Sequence, residues 1–153
     1  MRGYRVLAGF SRSKRLLTAS DYRYVFSKPD FRFGNRSVLC LARLSGEALK
    51  LQEPAESENS PKDSVIDKER YTKTHRLGLA VSKKHLKKAV NRNLVKRLAR
   101  ERFRSAFRDE QTPFAAADVV ILTRPGAAGA TRAELRGAID ATLSKLETFL
   151  EQR

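Results

Sequence analysis

Apolar and polar residues follow a distinct spacing in each of seven stretches of the chain, and each spacing names an element. Tyr22, Val25 and Phe26 recur at i, i+3, i+4 within Ala19–Ser27, as on one face of a short helix. Thr18 precedes that segment and Asp21 follows three residues on, the pattern of a capping box. Lys28-Pro29-Asp30 ends the helix, because proline disfavours helical geometry in the residue before it. Phe31 and Phe33 then alternate with Arg32, Gly34-Asn35 is a turn signal, and Ser37–Leu44 reads as a strand. His75–Ser82 places Leu77, Leu79 and Val81 on one strand face, with Gly78 and Ala80 on the other. From about Ala89 to Phe107 a helical wheel gathers Val95, Leu98, Ala99, Phe103, Ala106 and Phe107 on one broad face. Val119-Val120-Ile121-Leu122, inside Asp118–Thr123, is a continuous apolar run suited to a strand in the middle of a sheet. Arg124–Gly129 is the turn after it. Thr131 and Glu134 form a second capping box. Leu135, Ala138, Ile139, Thr142, Leu143, Leu146, Phe149 and Leu150 then form the apolar stripe of a helix over Arg132–Glu151, packed on the sheet.

The order is αβββαβα. A helix joining the third and fourth strands is a βαβ unit, so the chain is expected to be an α+β protein, with a mixed four-stranded sheet and helices packed on it. At 153 residues it is expected to be one domain spanning 1–153. Two segments fall outside the periodic pattern. Residues 1–15 read as a mobile basic arm. Residues 46–72 hold seven acids and four bases, with prolines and small polar residues, and read as an acidic flexible insertion between two strands. That insertion is either a tolerated extension of a hairpin tip or an acidic flap competing for a basic surface.

Charge sharpens this picture. The chain carries 32 Lys and Arg against 17 Asp and Glu, a formal net charge of +15, the footprint of a nucleic-acid binder. Most of it lies between Lys73 and Arg108, where 13 Lys or Arg face one acid, Glu101. Lys83, Lys84, Lys87 and Lys88 fall in a loop or first helical turn. On the wheel Asn93, Arg97, Arg100, Arg104 and Arg108 lie opposite the apolar face, flanked by Arg92 and Lys96. A solvated helix face would mix signs at i, i+4. Here the arginines repel one another, and a polyanion would supply the missing negative charge. Arginine's planar fork suits phosphate and stacks on bases, and Asn93 adds a donor and an acceptor for ribose hydroxyls or base edges. The absence of zinc-finger or basic-zipper spacing and the placing of this helix in a βαβ unit favour structured RNA over DNA.

Other chemistry is sparse. Tyr22, Phe26, Phe31 and Phe33 are candidates for base stacking or for core packing. His75 and His85 have no acid or cysteine at metal spacing, and no carboxylate pair or nucleophile–base pair is readable, so no catalytic residue is expected. Cys40, the single cysteine, excludes an internal disulfide and fits a small buried strand residue in a reducing cytoplasm. No apolar run approaches the roughly 20 residues that span a bilayer, so no membrane is expected.

Arg76-Leu-Gly-Leu-Ala-Val-Ser-Lys-Lys84, followed by Ala89-Val-Asn-Arg-Asn-Leu-Val-Lys-Arg-Leu-Ala-Arg-Glu-Arg-Phe-Arg104, closely resembles the protein component of bacterial ribonuclease P. Arg15-Leu16, Asp21-Tyr22 with Val25-Phe26, and Asp118-Val-Val-Ile extend the resemblance over nearly all of the chain except 46–72. The family's long-helix signature is Arg-Asn-Arg, one residue, Lys-Arg, two residues, Arg. Arg92, Asn93, Lys96, Arg97 and Arg100 match it, and Leu94 stands where the second arginine is usual. The resemblance implies the accessory protein of a cytoplasmic ribonucleoprotein with no obligate protein partner. Its RNA subunit would hydrolyse the 5′ leader from precursor tRNA with Mg2+ held through the RNA. The implied RNA contacts are Lys83, Lys84, Lys87, Lys88, Arg92, Asn93, Lys96, Arg97, Arg100 and Arg104. A cleft between the first helix and the sheet, lined by Tyr22 and Phe26, would hold the single-stranded leader. The strand position where relatives carry an aromatic is read as Cys40. The resemblance also implies a ribosomal protein domain 2-like fold with a left-handed βαβ crossover, against the usual hand. A ribosomal or translation-associated binder of ribosomal RNA, and a stand-alone nuclease, are the alternatives from other classes.

Overall fold

The computed structural model describes residues 14–44, 75–107 and 116–152. The acidic insertion at 46–72, residues 1–13 of the basic arm and Arg108 lie outside the described residues. Among the described residues, three helices and four strands follow the expected order: α1 Ala19–Ser27, β1 Phe31–Gly34, β2 Val38–Leu44, β3 Arg76–Ala80, α2 Ala89–Ala106, β4 Ala117–Thr123 and α3 Arg132–Glu151. A 3-10 turn, Pro125–Ala127, joins β4 to α3. Both capping boxes are formed. Thr18 accepts from the Asp21 N–H and Thr131 from the Glu134 N–H, and each acid accepts in return from the cap backbone.

The sheet runs β1-β2-β4-β3. β1–β2 and β2–β4 are antiparallel, and β3–β4 is parallel. β4 therefore lies between two partners, which is why its apolar run is unbroken: Ala117 to Ile121 are all buried. Register sorts the sheet into two faces. Val38, Cys40, Ala42, Leu77, Val119 and Ile121 pack against Val95, Leu98, Ala99 and Phe103 of α2 and Leu135, Ile139, Leu143 and Leu146 of α3. Leu41 and Val120 pack on the other face with Leu16 and Val25 under α1.

The hand of the crossover follows from these directions. The Arg124 N–H donates to the Ser37 carbonyl at 2.8 Å, so even-numbered peptide groups of β4 point to β2 and odd-numbered ones to β3. Val119 and Ile121, also odd, turn their side chains to α2 and α3. For L-residues these two directions are tied by the chirality at Cα. Seen from the helix side with both strands upward, β3 then lies to the right of β4. The chain leaves β3, descends through α2 in front and enters β4 on the left. The crossover is left-handed, as the resemblance implied, against the strong general preference for the other hand.

Arg76, one of the cations between Lys73 and Arg108, is 4% exposed. Its guanidinium donates to both carboxylate oxygens of Asp118 at 2.8 and 2.7 Å, and Asp21 of α1 stands 3.7 Å away. Burial pushes the Asp118 carboxyl above its ordinary value, and Arg76 opposes that push.

Candidate nucleic-acid interface

Two basic or aromatic surfaces emerge, one on each side of the sheet. The first begins at the turn after β3. Ser82 organises it: its carbonyl accepts from the His85 and Leu86 N–H groups, and its hydroxyl from the Lys84 N–H. Leu86 is buried and anchors the turn in the core, while Lys83, Lys84, Lys87 and Lys88 are exposed around it. The sequence Lys-Lys-His-Leu-Lys-Lys thus alternates one anchor with four free cations. His85 belongs to the anchor as well, with Nδ1 3.3 Å from the Thr123 hydroxyl.

Along α2 the expected stripe divides. Asn93 and Arg97 are exposed, and Lys96, Arg100 and Arg104 half-exposed. Arg97 has Glu101 beside it, at 3.7 Å between two solvated side chains, a contact worth little. Arg104 Nε is buried and meets no acceptor among the described residues. Arg92, expected to meet RNA, donates through Nη1 to the Leu86 and Lys87 carbonyls at 2.9 and 2.7 Å, which leaves its other donors for a ligand. It holds the lysine turn in place. Arg102 is bound into the protein too, reaching Asp140 at 3.1 Å, Glu147 at 2.8 Å and Ser144 at 3.2 Å across to α3. Leu94 is half-buried and packs on the core edge, so the position where an arginine is usual points partly inward.

The second surface lies under α1. Register puts Arg32, Leu41, Val120 and Gly78 in one row of that face, and Gly34, Leu39, Leu122 and Ala80 in the next. α1 buries Leu41 and Val120 but leaves Leu39, Leu122 and Ala80 half-exposed, forming a trough beside the helix. Tyr22 and Phe26 stand on its wall with ring centroids 6.3 Å apart, and Phe26 is 42% exposed. Tyr22 has a structural task as well. Its ring lies so close over Gly78 that a Cβ there would sit 2.8 Å from it. Its hydroxyl accepts from the Leu79 N–H at 3.1 Å, on the outer edge of β3. The Leu77 carbonyl, on the same edge, accepts from the Leu16 N–H at 3.0 Å. The edge strand is thus covered by Leu16 and by a tyrosine.

α1 is held at both ends. Asp21 faces Arg76 at one end. At the other, the Tyr24 hydroxyl donates to the Leu44 carbonyl, and the Arg43 guanidinium lies 3.9 Å over the Tyr24 ring while donating to the Tyr24 carbonyl.

Three residues weighed for the trough are elsewhere. Cys40 is fully buried on the α2–α3 face, its thiol pushed up to about 12 by burial. The β2 residues that face the trough are its neighbours Leu39 and Leu41. Phe31 packs on Phe149 of α3 with centroids 5.2 Å apart, and Phe33 has Lys145 of α3 6.0 Å from its ring. The parity that pairs Phe31 with Ala42 and Phe33 with Cys40 sends both to the helix side. His75 is buried against Phe107 and accepts from the Ala117 N–H at 3.0 Å, and burial lowers its pKa to about 4. Among the described residues no group of three or more His, Cys, Asp or Glu is placed to hold a metal, and no helix is long and apolar enough to cross a membrane.

The family model for Ribonuclease P matches residues 10–147. The chain belongs to that family. The ribonuclease P protein component of Stutzerimonas stutzeri is 36% identical over 83% of this chain and 75% of its own length. That of Chromohalobacter salexigens is 32% identical over 91% of this chain and 86% of its own length. Solved structures share the fold. The ribonuclease P protein of Staphylococcus aureus superposes with a TM-score of 0.59 at 20% identity, covering 87% of this chain and 94% of that one. The Thermotoga maritima protein gives 0.55 at 21%, covering 86% and 96%. A ribonuclease P protein is an accessory subunit of an endoribonuclease, which accords with a site rich in cations and stacking groups.

Proposed function

We propose that this chain is the protein subunit of a ribonuclease P ribonucleoprotein and promotes removal of the 5′ leader from precursor tRNA. The lysine turn and the exposed stripe of α2, from Lys83 to Arg104, bind the catalytic RNA. The trough beside α1, with Tyr22 and Phe26, binds the single-stranded leader. The RNA subunit carries the chemistry, with Mg2+ held by its phosphates. The observation that carries this reading is the division of labour within the family match: Arg102 is bound into the protein, while Arg97, Arg100 and the four turn lysines are left for phosphate. We also propose that the complex works in the cytoplasm.

Reconstitution with a cognate catalytic RNA at low Mg2+ tests the proposal. Leader cleavage faster than with RNA alone is expected, and no stimulation would overturn it. RNA that co-purifies with the protein should be the catalytic RNA and precursor tRNA. Recovery of ribosomal RNA alone would count against the reading.

A further inference from the structure

Asp21 joins three parts of the molecule from the first turn of α1. It is 3% exposed, and its two carboxylate oxygens have different tasks. Oδ2 accepts from the Leu17 and Thr18 N–H groups at 3.2 Å each, closing the turn that leads into the helix. Oδ1 lies 3.7 Å from Arg76 Nη2, the nitrogen that also donates to Asp118 at 2.7 Å. One guanidinium on β3 is thus shared between an acid of the central strand and an acid of α1. The neighbours of Asp21 meet the same strand. Leu16 donates its N–H to the Leu77 carbonyl, and Tyr22 sits over Gly78 and on the Leu79 N–H. Residues 16, 21 and 22 therefore form a seam along β3, from Arg76 to Leu79.

A helix of nine residues is not stable alone, so contacts of this kind decide where α1 lies. The Asp21–Arg76 contact is ionic and shut off from water, so it pulls more strongly than a solvated pair would. Phe26 lies about one and a half turns beyond Asp21 and moves with the helix that Asp21 tethers. We infer that Asp21 is a positioning residue for the leader: held by Arg76, it sets the seat of α1 on the sheet and so the placing of the Tyr22 and Phe26 rings over the floor of Leu39, Leu122 and Ala80. Asp21 is too buried to touch RNA itself. The inference rests on the leader-binding reading above and goes beyond it to the ion pair that shapes the site. Cap and tether are separable. A capping box works with a neutral amide at this position as well as with an acid. Asp21→Asn therefore keeps an acceptor for the Leu17 and Thr18 N–H groups, while its NH2 group faces the Arg76 donors.

The test uses the full-length protein reconstituted with catalytic RNA. Affinity is measured for precursor tRNA with its leader and for the same tRNA without it, in wild type, Asp21→Asn, Phe26→Ala, the double variant and Arg102→Ala. Wild type should prefer the leader-bearing substrate, and its failure to do so would sink the leader-binding reading and this inference with it. Given that preference, Asp21→Asn should cut it about three- to tenfold while catalytic-RNA affinity stays within about twofold of wild type. In the Phe26→Ala background the same substitution should cost less, because part of what it misplaces is already gone. Arg102→Ala lowers stability away from the trough and should leave the preference unchanged. Asp21→Glu keeps the charge and the capping acid on a stem one methylene longer; it guards against loss of fold and should also lower the preference. An undiminished preference in Asp21→Asn, or in Asp21→Glu if the first variant does not fold, would overturn the inference. Equal losses for leader-bearing and leaderless tRNA, an equal loss with and without Phe26, or the same loss in Arg102→Ala would overturn it too.

Discussion

Arg76 and Asp118 form a buried, two-pronged ion pair between neighbouring parallel strands, at 2.8 and 2.7 Å, with Asp21 of α1 facing the same guanidinium. The pair joins the edge strand to the central strand and ties the trough's helix to both. Taking Arg76 away leaves two carboxylates in a site that excludes water. Arg76→Met is therefore expected to lower unfolding free energy by about 3–5 kcal/mol, the usual cost of stranding a buried charge. Urea denaturation measures it, and a loss under about 1 kcal/mol would show that the pair adds little beyond packing.

His75 makes stability depend on pH. Its folded pKa, about 4, lies below the ordinary 6.5 because burial disfavours the imidazolium. The unfolded chain then takes up a proton before the folded one does. The stabilisation is fully present above pH 6.5 and is lost as pH falls towards 4, by at most about 3 kcal/mol. His75→Gln can keep an acceptor for the Ala117 N–H but does not titrate. Its stability should change less than wild type between pH 7 and 4.5, and an unchanged difference would exclude His75 as the source.

Arg97 and Arg102 differ by five positions on one helix and by the job each does. Arg97→Ala should weaken binding to the catalytic RNA and reduce the salt slope by about 0.7–0.9. Arg102→Ala should leave that slope unchanged and instead lower the melting temperature, since it unfastens α2 from Asp140 and Glu147. Titrations at several salt concentrations, with thermal melts alongside, separate the two. A slope change in Arg102→Ala would contradict the assignment.

Leu94 offers a gain-of-function test. Leu94→Arg should steepen the salt slope by about 0.7 while costing roughly 1 kcal/mol of apolar contact at the core edge, because an arginine stem covers part of what the leucine covers. Unchanged RNA affinity would mean that this turn of α2 does not meet phosphate.

Tyr22 and Phe26 should separate likewise. Tyr22→Phe keeps the ring but leaves the Leu79 N–H on β3 without its acceptor, so stability should fall by about 1–2 kcal/mol with leader affinity retained. Phe26→Ala, at an exposed position, should do the reverse. Parallel melts and leader-binding titrations decide it, and undiminished leader affinity in Phe26→Ala would remove that ring from the site.

The chain's local rules determined its elements: strand alternation, the apolar stripes of α2 and α3, and both capping boxes act within a few residues, so their signals survive in sequence. The basic stripe of α2 was legible for the same reason. Only the tertiary structure decided which arginines are surface and which are scaffold. Arg76 reaches Asp118 across 42 positions and Arg102 reaches Ser144 across 42, and no local spacing encodes such partners. Strand pairing, too, sent Phe31, Phe33 and Cys40 to the helix side. A strand's two faces are distinguishable in sequence, but which face meets a helix and which meets solvent depends on what packs against the finished sheet.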